Sequence, residues 1–432
     1  MNQHNEFSPN TETNDDFITQ LYKSRKRDSD YDKYDNNDFI TSFDNATTML
    51  LQNGHVVSWG NIELPPEIAQ LDDIVSLISQ PQIGFAALRA NRSVVAWGGR
   101  YGTKIPPEIA KLQDLVSLSA TSSAFAALRA NRSVVAWGGG YSGNRVPPEI
   151  AQLSDIVSLN ATNFAFVALR ANRSVIAWRD QDDSQAPPEI AKLQDIVSLT
   201  TTKNSFAALR ANRSVITWDD GPTANIAKLQ DIVSLSTASQ AFAALRADRS
   251  VVAWGVKEQG GEVPLEIAKL QDIVSLSAAT DAFAALRANR SIVAWGETFY
   301  NNSGQIPPEI AQLSDIVSLN AASAAFAALR ANRSVVAWGD LDQGGLLPYK
   351  IAQLNDIVSL SATKEAFAAL RTNRSVVAWG APSSGGQVPP EIAKLKDIIS
   401  LSSSRTSFTA LRTNGKRVGW GGGDTKAHGE YD

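Results

Sequence analysis

Three short apolar runs recur along the chain with polar breaks between them. In residues 114–153 they are DLVSLSA, AFAALRA and SVVAWG, followed by the polar stretch GGYSGNR and then VPPEIAQL. Each apolar run predicts a β-strand. The third is apolar on both faces, with Val135 and Trp137 on one and Val134 and Ala136 on the other. A strand with one wet face would alternate, so this one is covered on both sides. The proline pair of VPPEIAQL rules out a central strand there and predicts a short outer strand or a helical turn, with Glu149 in its first turn.

The pattern repeats. Ten tryptophans stand at 59, 97, 137, 178, 218, 254, 295, 338, 379 and 420, spaced 36 to 43 residues apart and all at the same place in the unit. Length alone would suggest several domains; the repeat replaces them with one array over residues 39–420. Small antiparallel sheets, each covered by copies of itself, describe propeller blades. The expected fold is all-β: a β-propeller-like array of about ten antiparallel blades, with a bulky Val/Trp/Phe/Leu face of one filling against the Ala-rich face of the next. Ten copies exceed the usual four to eight blades, so the array is either a wide propeller or an incompletely closed stack. A leucine-rich repeat would account for IPPEIAKLQDLVSL at 105–118, but not for a period near 41 residues or for Ala120 where a leucine is wanted.

Between the second and third runs, eight copies read Asn-Arg-Ser or Asp-Arg-Ser, while the first and last read Asn53-Gly54 and Asn414-Gly415. Asn-Gly is a strong hairpin signal because a type I′ turn needs positive φ at both central residues. Asn91, Asn131, Asn172, Asn212, Asn289, Asn332 and Asn373 therefore read as turn residues rather than glycosylation acceptors, and Asp248 keeps the turn chemistry without the acceptor pattern. Arginine is uncomfortable at positive φ, which leaves a longer turn with Asn in the left-handed region open.

Composition removes most chemistry. The net charge is −4, cysteine is absent, and of the three histidines His4 and His428 lie in the tails, leaving His55. No nucleic-acid footprint, thiolate site or histidine-based metal site is expected, and no apolar run is long enough to span a membrane. Nucleotide-binding loops, nucleophile elbows and metalloprotease or calcium motifs are missing. The paired carboxylates Asp182-Asp183 and Asp219-Asp220 have no base beside them and read as solvated turns. The chain is expected to be neither an enzyme nor a cofactor carrier. Residues 1–38 are polar, carry the basic cluster Lys23–Arg27 and read as disordered; the last copy shows no obvious outer strand, and residues 421–432 read as a flexible tail. The start of the chain lacks the basic and apolar parts of a signal peptide, so the expected location is cytoplasmic, or exported without a cleaved signal in the manner of a bacterial effector.

Leu88 followed by Asn91-Arg92-Ser93-Val94-Val95-Ala96-Trp97-Gly98 resembles the core of the regulator-of-chromosome-condensation repeat, and Gly304-Gln305-Ile306-Pro307 and Gly386-Gln387-Val388-Pro389 resemble that family's following element. The short period is similar to the compact bacterial branch with the β-lactamase-inhibitory propeller. The family's Gly-rich segment between the first two strands is replaced here by Ser-Ala-Thr-type stretches such as Ser119–Ser123. The resemblance implies a propeller and two activities: inhibition of a secreted enzyme such as a β-lactamase, or nucleotide exchange on a small GTPase. The exchange factor uses an inserted wedge for which these Trp spacings leave no room.

In an antiparallel meander, the loops after the first and third strands share one end, while the hairpin after the second shares the other with the connection to the next blade. The hairpin end is monotonous, with Arg89, Arg92 and their equivalents opposed by Asp114, Asp155 and Asp195. It reads as a solvated ring of mixed charge whose interleaved carboxylates argue against binding a polyanion. The other end varies in every copy, as recognition surfaces on rigid scaffolds do. Tyr101, Tyr141, Phe164, Phe299 and Tyr300 are the candidate anchors there, with Arg100, Arg145, Asp182 and Asp183 as charged partners and Arg179, Asp219, Asp220 and Glu297 as companions. The expected function is a monomeric, non-enzymatic module that binds a protein partner through this face, without nucleic acid or membrane.

Overall fold

In the computed structural model, which describes residues 39–99, 103–139, 143–179, 186–218, 225–297 and 302–430, each of the ten repeats forms one open antiparallel sheet. In a representative unit the strands are Leu115–Ala120, Ala124–Arg129 and Val134–Gly138, followed by a helical turn at Pro148–Ala151. The proline pair thus opens a helical turn rather than an outer strand: Pro148 takes a first-turn position, where no backbone donor is lost, and Ile150 is buried beneath it.

Sheets stack as the two-faced third strand requires. Ala124, Ala126, Leu128 and Val134 of one sheet pack on Ile156, Phe166, Ala168 and Trp178 of the next. Within a sheet, Phe125 lies opposite Trp137, with ring centroids 5.5 Å apart. Such a pair adds about 0.5–1.5 kcal/mol beyond the area it buries.

First strands of successive sheets touch one another along the whole series, so they line the axis. The first strand of the chain, Ile40–Phe43, also touches the last sheet's Ile398–Ser403. Ser42 Oγ lies 2.7 Å from Ser404 Oγ, Thr47 Oγ1 lies 2.7 Å from Ser407 Oγ, and the Trp59 indole donates to the Gly421 carbonyl at 2.9 Å. The tenth sheet therefore packs on the first and the series returns on itself.

Two expectations are corrected. The tail is not a loose end: Asp424–Gly429 is a fourth strand paired with Arg417–Gly421, and His428 stacks on Trp59 with centroids 4.5 Å apart and planes 7° from parallel. In the hairpins the left-handed residue is arginine, not asparagine. Arg132 N–H donates to Arg129 C=O at 2.8 Å, Arg129 N–H donates to Ser133 C=O at 2.9 Å, and Arg132 has φ +64°. This is a tight turn followed by one left-handed residue, a longer loop than the type I′ turn. Asn131 stays outside that region; its Oδ1 accepts from the N–H of Ser133 at 3.0 Å and from its hydroxyl at 2.7 Å. Gly54 and Gly415, with φ +81° and +83°, fill the arginine's place in the first and last copies. The N-terminal segment 1–38 lies outside the described residues.

Candidate protein-binding face

The two loop types expected at one end do meet there. After its first strand, a unit turns through a Thr whose hydroxyl caps the turn at Thr121, Thr162 and Thr202, where Ala238, Ala279 and Ala322 stand in later copies; Thr162 Oγ1 accepts from the N–H of Phe164 and of Ala165, both at 3.1 Å. These hydroxyls do locally what the Gly-rich segment of the resembled repeat would do by conformational freedom. The turn apices are then joined from sheet to sheet by backbone bonds: Ser122 N–H to Asn163 C=O at 3.0 Å, Asn163 to Lys203 at 2.9 Å, and so on through Ser239, Thr280, Ser323 and Lys364 to Arg405. The loop after the third strand is tied to this belt, since Glu297 N–H donates to Asp281 C=O at 2.9 Å and Ala381 N–H to Glu365 C=O at 2.8 Å.

The variable loops have a second anchor that the sequence reading missed. Gly260 sits at φ +90°, a Cβ there would lie 2.6 Å from the Phe283 ring, and its carbonyl accepts the Trp295 indole N–H at 3.0 Å. The same bond joins Gly143 to Trp178, Gly344 to Trp379 and Gly385 to Trp420, with Ser303 serving Trp338. Each acceptor stands 35 residues before its tryptophan. That constant spacing was the available signal, hidden by loops that otherwise share little. A buried indole donor left unbonded costs about 1–3 kcal/mol, so the bond fixes the loop root as well as the blade.

The exposed side chains differ from copy to copy. Phe164 is 49% exposed at its turn, and Arg145 is exposed beyond the Gly143 anchor. Tyr101, Arg100, Tyr141, Asp182, Asp183, Phe299 and Tyr300, with Asp219 and Asp220, lie outside the described residues. Leu341 and Leu346 were not singled out from sequence and are 65% and 62% exposed on the loop that Asp340 caps by accepting from the N–H groups of Asp342 and Gln343. An apolar residue at the tip of an otherwise polar loop was the sequence signal for Leu341.

Charge on this face is local. Burial pushes the Asp281 carboxyl up from its ordinary value, with Lys203 opposing that shift and Glu297 adding to it. Glu365 is held by Lys364 at 3.2 Å and accepts from the Ser384 hydroxyl at 3.0 Å. Among the described residues no cluster of three or more His, Cys, Asp or Glu side chains could hold a metal ion, and no helix is long and apolar enough to cross a membrane.

No family model matches the chain, and no curated protein matches it. Solved structures do. The CRINKLY WD40 ectodomain of the Arabidopsis thaliana receptor kinase ACR4 is 17% identical, with 60% of this chain and 92% of that one covered and a TM-score of 0.35. Prp20p of Saccharomyces cerevisiae, in a study of its binding to Gsp1p and histones, is 20% identical over 56% of this chain and 76% of its own, with a TM-score of 0.33. Yeast RCC1 (Prp20) bound to Kap60 is 17% identical over 73% and 71%, again with a TM-score of 0.33. RCC1, whose repeat the sequence resembles, is thus among the proteins to which this chain is similar in structure.

Proposed function

We propose that the chain is a non-catalytic binding module that holds a protein partner on the face formed by the loops after the first and third strands. The observation that supports this most directly is the contrast within each loop. Its root is tied by the inter-sheet belt and the glycine–tryptophan bond, while exposed side chains such as Phe164 and Leu341 change from copy to copy. A rigid base with varied exposed apolar side chains loses little entropy when it binds. The partner is a protein whose surface offers apolar pockets, met where the chain resides: in the cytoplasm, or outside it after export.

The test is affinity capture with the full chain beside a Phe164→Ser/Leu341→Ser variant. Both side chains are exposed, so the fold stays intact, and the expected result is a partner retained by the parent chain and lost by the variant. Equal retention by both overturns the reading. A retained partner is then assayed for the two activities implied by the resemblance, enzyme inhibition and nucleotide exchange.

A further inference from the structure

At the opposite end, the carboxylates of the mixed-charge ring expected from sequence are already paired. Each carboxylate before a first strand is already engaged by the arginine that ends the second strand of the same sheet. The Arg129 guanidinium reaches both oxygens of Asp114 through Nε at 3.1 and 3.0 Å and through a terminal nitrogen at 2.9 Å. The same pairing recurs down the chain, from Arg89 with Asp73 to Arg412 with Asp397. The remaining arginines are the eight left-handed turn residues, Arg132, Arg213 and Arg290 among them, with φ between +61° and +65°. Their side chains are exposed, and none makes an ion pair among the described residues.

Beside this ring stands an apolar one. In every sheet after the first, the first strand carries a bulge at its second residue: pairing steps from Ile273 opposite Arg287 to Ser275 opposite Leu286, leaving Val274 as the extra residue. Val233, Val274, Val317 and Val358 are 51–53% exposed, and Ile399 is 48% exposed. Each adjoins an arginine turn of the preceding sheet, because the N–H just before it donates to that arginine's carbonyl: Ile232 to Arg213 and Ile316 to Arg290, both at 3.0 Å. Unpaired guanidinium groups and exposed β-branched side chains therefore alternate over most of this end, with Val157 and Val197 half-buried.

The backbone points the same way. An L-residue in the left-handed region is strained by roughly 1–2 kcal/mol, and glycine, which avoids the strain, already occupies this place in two copies. Eight arginines at a position better suited to glycine are an outlier to be explained by what the side chain does. We propose that this annulus is a docking surface for an acidic polypeptide segment that carries apolar side chains between its carboxylates. Bare phosphate or a nucleic-acid backbone would use the arginines and leave the valines wet; a purely apolar partner would strand the guanidinium groups. The surface lies opposite the variable loops and does not rest on the function proposed for them.

The probe is the random copolymer of glutamate and tyrosine, compared with polyglutamate of equal charge and with a thymidine oligonucleotide, each titrated into the full chain by fluorescence anisotropy. Tightest binding by the copolymer is expected. Arg132→Gly/Arg173→Gly/Arg213→Gly weakens it roughly tenfold, from three exposed charge contacts removed. Glycine suits the positive φ, so this variant melts no lower than the parent and its lost binding is lost charge. Val233→Ser/Val274→Ser/Val317→Ser brings the copolymer down to the affinity of polyglutamate and leaves polyglutamate unchanged. The proposal is overturned if copolymer and polyglutamate bind alike or not at all, if the oligonucleotide binds as tightly, or if the arginine variant binds undiminished.

Discussion

Two kinds of contact hold the sheets in series, and they are built differently. An ordinary one is greasy: Ala282, Ala284 and Ile292 of one sheet meet Ile316, Phe326, Ala328 and Trp338 of the next. The contact between the last sheet and the first adds polar, directional bonds to the packing of Met49 and Trp59 against Gly419. It uses Ser42 with Ser404, Thr47 with Ser407, the Thr406 N–H donating to Ser42 Oγ at 2.8 Å, and an Arg417 guanidinium donating to Leu50 C=O at 3.1 Å, all at buried positions. Hydrophobic contact is strong but non-directional, and near-identical repeats give every sheet a face that would fit many others. Hydroxyl pairs match only their own partners, since a mismatched pairing leaves buried polar atoms unsatisfied. The degenerate first repeat, FITSFDNATTMLL, is thus the half of the seam that supplies Ser42 and Thr47 to the last sheet.

The comparison breaks most readily on the apolar side. Trp295→Ala removes an indole stacked on Phe283 at 5.4 Å and bonded to Gly260, and should cost about 3–5 kcal/mol, read by chemical denaturation. At the seam, Ser42→Ala removes the acceptor of the buried Thr406 N–H and the bond to Ser404, whose hydroxyl keeps only the Ser407 carbonyl, and a loss of about 1–3 kcal/mol is expected. The location of the loss separates the two. Hydrogen exchange should rise first in the first and last sheets of the Ser42 variant, and in the sheets around Trp295 in the other. Uniform loosening in both would remove the distinction between seam and ordinary contact.

The seam carries a titrating group of its own. Burial holds the His428 imidazole below its ordinary pKa of 6.5, against the opposing pull of Asp424, whose carboxylate lies 3.3 Å away. With the folded-state pKa lowered, the unfolded chain takes up the proton first. Stability is complete above 6.5 and declines as pH falls through that value toward the folded one. A pH series of denaturation midpoints should show a small acid-side loss that His428→Phe abolishes while keeping the stack on Trp59.

What the sequence disclosed follows from how local each signal is. The two-faced strand around Trp137 and the tryptophan spacing are properties of single repeats, and they announce stacked antiparallel sheets. The inter-sheet belt from Ser122 to Arg405 is made of backbone bonds and has no side-chain signature. Closure depends on Ser42 and Ser404, 362 positions apart, and on residues that read as defects of the first repeat. The strand Asp424–Gly429 has little β-propensity of its own and forms because Arg417–Gly421 offers an edge and Trp59 a surface for His428. At Arg132, propensity named the wrong residue because the hairpin takes a longer loop than Asn-Gly suggests. On the candidate face, Phe164 was legible as an exposed aromatic, whereas the Gly260 anchor was masked by the variation around it.

The smallest change in stability should be the most informative about the seam. Thr47→Val alone strands the Ser407 hydroxyl, and Ser407→Ala alone strands that of Thr47, so each single variant should lose about 1–3 kcal/mol. The double variant replaces both partners with apolar groups of similar shape and should recover nearly all of it, giving a large coupling in a double-mutant cycle. Closure should nevertheless become less selective, because the seam then resembles the apolar contacts between internal sheets. Sedimentation at rising concentration should show the double variant associating end to end while the parent chain stays a monomer. A double variant as stable and as monomeric as the parent would mean that chain proximity, not the hydroxyl pairs, chooses the closing partner.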